Sequence, residues 1–262
     1  MSPSTVRDHI WLLGHEAGSH DTGWGLPGRS RITPAEAAFY LGVPNLVMVR
    51  YEGRPAPPFD QYAVPFRPLD RVVWSIVGAG GKTDAAERQH VIELATRCPN
   101  ITGVIMDDFF ATGSALPALS VAELRQVRGQ LVSSGRPLEL WVVLYDHQLG
   151  SPVQAHLELC DKVAFWTWEA PALAHLERNF ARVEQLAPRA GKILGCYLWD
   201  YGRHQPMPLA PMQQQCETGL RWLHEGRIDG LIFLASCLCD LGIETVEWTR
   251  RWIADVGSQT RS

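Results

Sequence analysis

Carboxylates and aromatic rings recur together along this chain, each time just after a short apolar run. Asp107-Asp108-Phe109-Phe110 follows Gly103–Met106, and Tyr145-Asp146-His147 closes Leu138–Tyr145. Trp166-Thr167-Trp168-Glu169 closes Val163–Trp168, and Trp199-Asp200-Tyr201 closes Ile193–Trp199. The first two runs end in His15-Glu16 and Arg50-Tyr51-Glu52, and Cys239-Asp240 lies just past the last one. Two convergent carboxyl groups can work on an acetal. One acid protonates the leaving oxygen, and a second carboxylate attacks the anomeric carbon, activates water or stabilises the positive charge. Indole and phenol faces hold a sugar ring through its C–H bonds, and the chain has 10 tryptophans in 262 residues. The opposite ends of the runs carry Arg71, Lys162 and Lys192 instead.

Such residues converge only if the runs are strands of one sheet. The eight runs are Trp11–Gly14, Leu46–Arg50, Val72–Val77, Gly103–Met106, Leu138–Tyr145, Val163–Trp168, Ile193–Trp199 and Leu231–Ser236. They are short and mostly rich in Val, Ile, Leu and Trp, the pattern of parallel strands buried on both faces. Helix signals fill the intervals. Thr33-Pro34-Ala35-Glu36 and Ser120-Val121-Ala122-Glu123 are capping boxes, Asp84 with Glu87 opens another helix, and Gly42 and Gly135 supply stops. Further helices are expected after Ser151-Pro152, after Pro171, from Met212 to Gly226 and from Ile243 to Val256. The stretch Glu52 to Asp70 holds five prolines and predicts little regular helix. Eight strands alternating with helical crossovers in 262 residues predict an α/β fold, a single (β/α)8 TIM barrel over residues 1–262. In that architecture chemistry sits at the C-terminal ends of the strands, where the acids and rings fall.

The segment Ile101-Thr102-Gly103-Val104-Ile105-Met106-Asp107-Asp108-Phe109-Phe110 resembles the fourth-strand motif of TIM-barrel glycoside hydrolases, in which Gly-Val and two apolar residues precede an Asp. Chitinase-like and polygalactosaminidase-like enzymes both have such a strand, and Asp107 matches its closing Asp. The chitinase-like pattern has a Glu where Phe109 stands and an earlier Asp where Ile105 stands. In α-galactosidase-like barrels the resemblance implies an Asp nucleophile on strand 4 and an acid on strand 6, which Asp107 or Asp108 and Glu169 would supply. A β-glycosidase-like layout would use Asp200 on strand 7.

The expected catalytic set is therefore Asp107 as nucleophile or charge stabiliser, Asp108 as its partner, Glu169 as acid/base and Asp200 in reserve. Burial beside Trp168 would raise the Glu169 pKa, as an acid working near neutral pH requires. His15, Glu16, Arg50, Tyr145, Asp146, His147, Trp166, Trp168, Trp199 and Tyr201 are the expected substrate contacts. The expected substrate is a small glycoside or oligosaccharide, with no cofactor and no metal.

Other chemistry fits less well. Gly78-Ala79-Gly80-Gly81-Lys82-Thr83 has Ile76 where a Walker loop needs glycine, and Thr83 where a dinucleotide fingerprint needs one. A Schiff-base aldolase needs a lysine at a strand's C-terminal end. Lys162 and Lys192 lie at strand starts, and Lys82 lies on a loop. A metal-dependent isomerase, epimerase or hydrolase drawing on His15, Glu16, His20, Asp21, Asp146, His147 or Asp200 is the rival enzyme class, and a non-catalytic carbohydrate-binding barrel is the rival outside enzymes. The net charge of −4 argues against nucleic acid, and no apolar run reaches membrane-spanning length. The six cysteines lie without a CxxC and are expected as reduced thiols in a cytoplasmic protein.

Overall fold

A computed structural model describes residues 4–110, 117–133 and 135–261. Eight parallel strands close into a barrel: β1 (Ile10–Gly14), β2 (Asn45–Met48), β3 (Arg71–Val77), β4 (Ile101–Met106), β5 (Glu139–Tyr145), β6 (Lys162–Trp166), β7 (Gly191–Tyr197) and β8 (Gly230–Leu234). Each pairs with its neighbours in sequence, and β8 closes on β1 with Leu12 opposite Phe233. All eight apolar runs are strands of this barrel, which is a TIM barrel. The strands start one or two residues earlier than most of the runs, and four stop short of the expected ends.

The helices sit where their caps place them. In α1 (Pro34–Leu41) the Thr33 hydroxyl accepts from the Glu36 N–H at 3.3 Å, and the Thr33 N–H donates to the Glu36 carboxylate at 2.9 Å. Gly42 ends that helix at φ +68°, a left-handed conformation that glycine adopts without a Cβ clash. Asp84 caps α2 (Ala85–Arg97), accepting from the Glu87 N–H at 2.7 Å, and Ser120 with Glu123 boxes α3 (Val121–Ser133). The remaining helices are α4 (Gln154–Leu157), α5 (Leu176–Leu186), α6 (Leu209–His224) and α7 (Glu244–Val256). The proline-rich stretch between β2 and β3 forms only the 3-10 turn Val64–Phe66.

The interior is filled from the bottom upward. Trp11 of β1 and Trp141 of β5, on opposite strands, meet edge to face with centroids 4.9 Å apart. Arg71 lies over Trp11 at 4.7 Å and Lys162 over Trp141 at 5.1 Å. Cation–π contacts thus close the N-terminal end and use the basic residues found there. Higher up, Trp166 lies against the backbone of Gly195 on β7. A Cβ at Gly195 would come within 2.1 Å of the indole, so only glycine leaves room for that ring. The packed floor below directs any reacting group to the C-terminal mouth.

Candidate active site

Strand parity decides which acid of the Asp107-Asp108 pair faces the barrel. Ile105 pairs with Trp141, whose ring reaches across the interior to Trp11. Residues two apart share a face, so Asp107 points inward and Asp108 stands on the lip. The Asp107 N–H donates to the Val77 carbonyl at 2.7 Å, and its side chain is buried. Burial pushes its pKa well above the ordinary aspartate value, the charge of Asp108 adds to this, and a hydrogen bond from the Asp108 backbone opposes it.

Asp108 adopts φ +44°, an uncommon conformation for a non-glycine residue. Its carboxylate accepts from the Tyr145 hydroxyl at 2.7 Å through Oδ1 and from the Gly80 N–H at 2.8 Å through Oδ2. The glycine-rich loop after β3 therefore presents a backbone donor to an acid on β4. A Cβ at Gly81, itself at φ +68°, would come within 3.0 Å of the Asp108 carbonyl oxygen. Tyr197 is buried and Tyr145 partly so, and desolvation followed by neighbouring negative charge, Asp107 and Asp108 included, holds both phenols well above their ordinary pKa.

Aromatic rings surround this pair. Tyr145 stacks on His147 at 5.3 Å with planes 8° apart and meets the edge of Trp168 at 5.7 Å. Trp168 also meets Tyr197 at 5.8 Å and Trp24 at 6.3 Å, and the Trp24 indole N–H donates to the Tyr51 hydroxyl at 3.0 Å. Asp146 accepts from the Trp168 N–H at 3.2 Å and so orients that loop. Burial works to raise the Asp146 pKa, but hydrogen bonds from the His147 side chain and the Trp168 and His147 amides outweigh it and the net shift is downward.

Several expected contacts are instead occupied by the protein itself. Trp166 is 1% exposed and wedged against Tyr197 at 4.8 Å, which leaves it no face for a ligand. The Arg50 guanidinium is bound to Glu87 and to the carbonyls of Pro55 and Gly53, pinning the β2–β3 crossover to α2. His15 is buried beside His20, with ring centroids 4.6 Å apart, and its backbone exchanges hydrogen bonds with the Ser236 hydroxyl at 3.0 and 3.1 Å. Burial lowers the pKa of both imidazoles, that of His20 to about 4. His20 in turn bonds the Tyr201 hydroxyl at 2.7 Å, and Trp199 donates to the Trp24 carbonyl at 3.0 Å. Glu16 has one buried carboxylate oxygen with no hydrogen-bond partner, and its charge acts on Tyr62.

The acids after β6 and β7 differ from the β4 pair. Asp200 is fully buried and accepts from the Ala170 N–H and the Arg203 N–H, each at 3.2 Å, so it staples the turn after β7 to the start of the preceding crossover. Glu169 is 45% exposed and paired with Arg203 at 3.4 Å. The burial expected beside Trp168 is absent, because the side chain runs out beside Gly202 toward solvent. Among the described residues no three His, Cys, Asp or Glu side chains gather in a metal-binding group. Asp21 is occupied in capping the Ser30 N–H at 2.9 Å.

Sequence reasoning missed Tyr197, Trp24, Tyr51 and Gly80 as parts of the site. Tyr197 fell inside a run carried two residues too far, to Trp199. Trp24 lies in a loop without periodicity, and its only signal is a lone tryptophan between Gly23 and Gly25.

No family model and no curated protein sequence matches the chain. Solved structures do match its fold. Active domain 2 of the thermostable chitinase from Pyrococcus furiosus, studied with chito-oligosaccharides, superposes with a TM-score of 0.57 at 14% identity, over 89% of this chain and 85% of that one. A family 18 chitinase from Cycas revoluta gives 0.52 at 14%, over 93% and 99%. A Schiff-base-forming fructose-1,6-bisphosphate aldolase gives 0.58 at 13%, over 95% and 94%. These neighbours are enzymes, and at such identities the likeness is one of fold. No described helix is long and apolar enough to cross a membrane.

Proposed function

We propose that this chain is a glycoside hydrolase in which Asp107 and Asp108 carry the reaction. The observation behind this reading is the unequal setting of two adjacent acids at one strand end. Asp107 is buried and disposed to keep its proton, whereas Asp108 is fixed by two donors on the lip. This reverses the roles expected from strand position, giving Asp107 the part of the acid. Its proton passes to the glycosidic oxygen as the bond to the anomeric carbon breaks. The Asp108 carboxylate faces the positive charge that develops on the sugar, and water completes the hydrolysis. Tyr145 holds Asp108 in place, and Trp168 supplies a sugar platform.

An aldolase of the Schiff-base type is less well supported. Lys162 and Lys192 sit at the starts of β6 and β7, and Lys82 is an exposed loop residue. The substrate on this reading is a small glycoside or oligosaccharide. The six cysteines, all free and buried, support work in a reducing cytoplasm.

A panel of nitrophenyl glycosides tests the proposal. Release of nitrophenol by the wild type, persisting in the presence of a chelator, is the expected result, with cleavage of the matching alkyl glycoside lost in Asp107→Asn. Turnover that collapses on chelation would favour the metal-dependent class instead.

A further inference from the structure

The eight strand ends do not contribute equally to the mouth. After β7, β8 and β1 the chain is sealed: Leu198, Trp199, Tyr201, Ser236, Cys237, His15 and His20 are each at most 3% exposed. His20 bonds Tyr201, and the Ser236 hydroxyl joins the β8 end to His15, so this half is tied together by its own polar groups. After β3 to β6, by contrast, Gly80 and His147 are exposed, and Asp108, Tyr145 and Trp168 are partly so.

Trp24 marks the border between the halves. Its indole N–H donates to Tyr51, beyond β2, and its ring meets Trp168, beyond β6. Those strands lie four places apart whichever way the barrel is followed, so the contact spans the mouth along a diameter. The bar is anchored at 5.1 Å on Tyr201 and 5.2 Å on His204, and its carbonyl accepts from Trp199. Asp107 and Asp108 lie on the open side of it.

We propose that the mouth is a one-sided pocket that takes a glycoside end-on, so that only the terminal, non-reducing unit of a chain is cleaved. A polymer lying across the acids would have to pass through Trp24 and the sealed half behind it. The carboxyl pair reacts at the anomeric carbon, so the unit held inside is the glycone, and the aglycone leaves on the side of Gly80 and His147, the open one among the described residues. This inference rests on the hydrolase reading and adds its substrate class.

The test uses two nitrophenyl oligosaccharides of whichever sugar the panel identifies, one with a free non-reducing end and one with that end capped as a cyclic acetal. The wild type should shorten the free chain one unit at a time and cleave the capped chain at least ~100-fold more slowly, as expected for steric exclusion. Trp24→Ala should narrow that ratio by at least ~10-fold by removing the bar. Equal cleavage of capped and free chains by the wild type would overturn the end-on pocket while leaving the hydrolase standing. A capped-to-free ratio unchanged in folded Trp24→Ala would overturn Trp24 as the barrier. Failure of every glycoside to react would overturn the hydrolase reading and this inference with it.

Discussion

Two pairs of acids stand at the same mouth and are used in opposite ways. At the end of β4, Asp107 is buried with its pKa raised, and Asp108 is gripped by a phenol and a backbone amide. Beyond β6 and β7, Asp200 spends both carboxylate oxygens on backbone N–H groups, and Glu169 faces solvent with Arg203. Both pairs follow apolar runs and sit beside aromatic rings, so position at a strand end does not separate them. What separates Asp107 from Asp200 is that backbone donors hold both Asp200 oxygens, whereas Asp107 is buried with its pKa raised. A carboxyl fully engaged by backbone donors stabilises a turn. A buried carboxyl left with its proton has something to transfer.

The sharpest way to break this comparison is at Asp107. Asp107→Asn should lower kcat/KM at least ~100-fold, the low end for loss of a general acid, measured on an alkyl glycoside whose leaving oxygen needs the proton. The same change should behave differently in stability. Burial raises the Asp107 pKa in the folded chain, so the native state keeps a proton that the unfolded chain gives up. Wild-type stability from this group is therefore present at low pH and is lost as pH rises from the ordinary aspartate value through the raised one. Asp107→Asn cannot ionise, so its melting temperature relative to wild type should climb across that window. A constant difference would show that Asp107 is not held protonated. Activity should fall on the alkaline side as Asp107 loses its proton.

Asp200 should show the reverse profile. Asp200→Ala strands the N–H groups of Ala170 and Arg203, and each buried unsatisfied donor costs ~1–3 kcal/mol. Urea denaturation should show a loss of about that size, with the surviving folded enzyme retaining most of its turnover. Asp200→Asn, which keeps an acceptor, should lose less. A large fall in turnover with unchanged stability would move Asp200 into the chemistry.

The barrel was legible in the sequence because it rests on local signals. Val72–Val77 is one such apolar run, Thr33 and Glu36 cap one another within a turn, and the crowding of prolines from 55 to 68 removes a helix. The end of β4 was legible too, since Asp107 and Asp108 are adjacent and the strand before them is regular. The division of labour between them was not. It depends on Gly80 reaching across from the preceding strand and on Tyr145 from the following one, contacts 28 and 37 residues away. The surroundings of Glu169 and Asp200 were hidden for the same reason. Their partners Arg203 and Ala170 lie across a crossover of some 30 residues, and no spacing rule reveals which oxygens are taken.

A smaller effect is expected at Tyr145. Tyr145→Phe removes one hydrogen bond to Asp108 and leaves the Gly80 donor and the ring contacts in place. A hydrogen bond to a charged group contributes about 1.5–3 kcal/mol, of which the partly exposed Asp108 recovers some from water. A roughly 10-fold fall in kcat, with little change in KM, is the expected outcome in steady-state kinetics. A rise in KM instead would place Tyr145 in ground-state contact with the sugar.

The smallest effect is expected at Glu169, and there the two readings of the site diverge most. An acid/base role at Glu169 would make Glu169→Gln lose at least ~100-fold in turnover, as for Asp107→Asn. The structure supports a different expectation. Glu169 and Arg203 are 45% and 49% exposed, and an ion pair so open to water is worth no more than ~1 kcal/mol. Glutamine keeps the length of the side chain and an oxygen for the Arg203 guanidinium. Turnover of Glu169→Gln should therefore stay within about threefold of wild type, and stability within ~0.5 kcal/mol, the usual range for a surface change. Leaving-group dependence separates the cases further. If Glu169 supplied the acid, activated nitrophenyl substrates would be spared relative to alkyl glycosides in Glu169→Gln. If Asp107 supplies it, that sparing should appear in Asp107→Asn and be absent in Glu169→Gln. A leaving-group-dependent loss at Glu169 would return the acid to the sixth strand and leave Asp107 as the charge stabiliser.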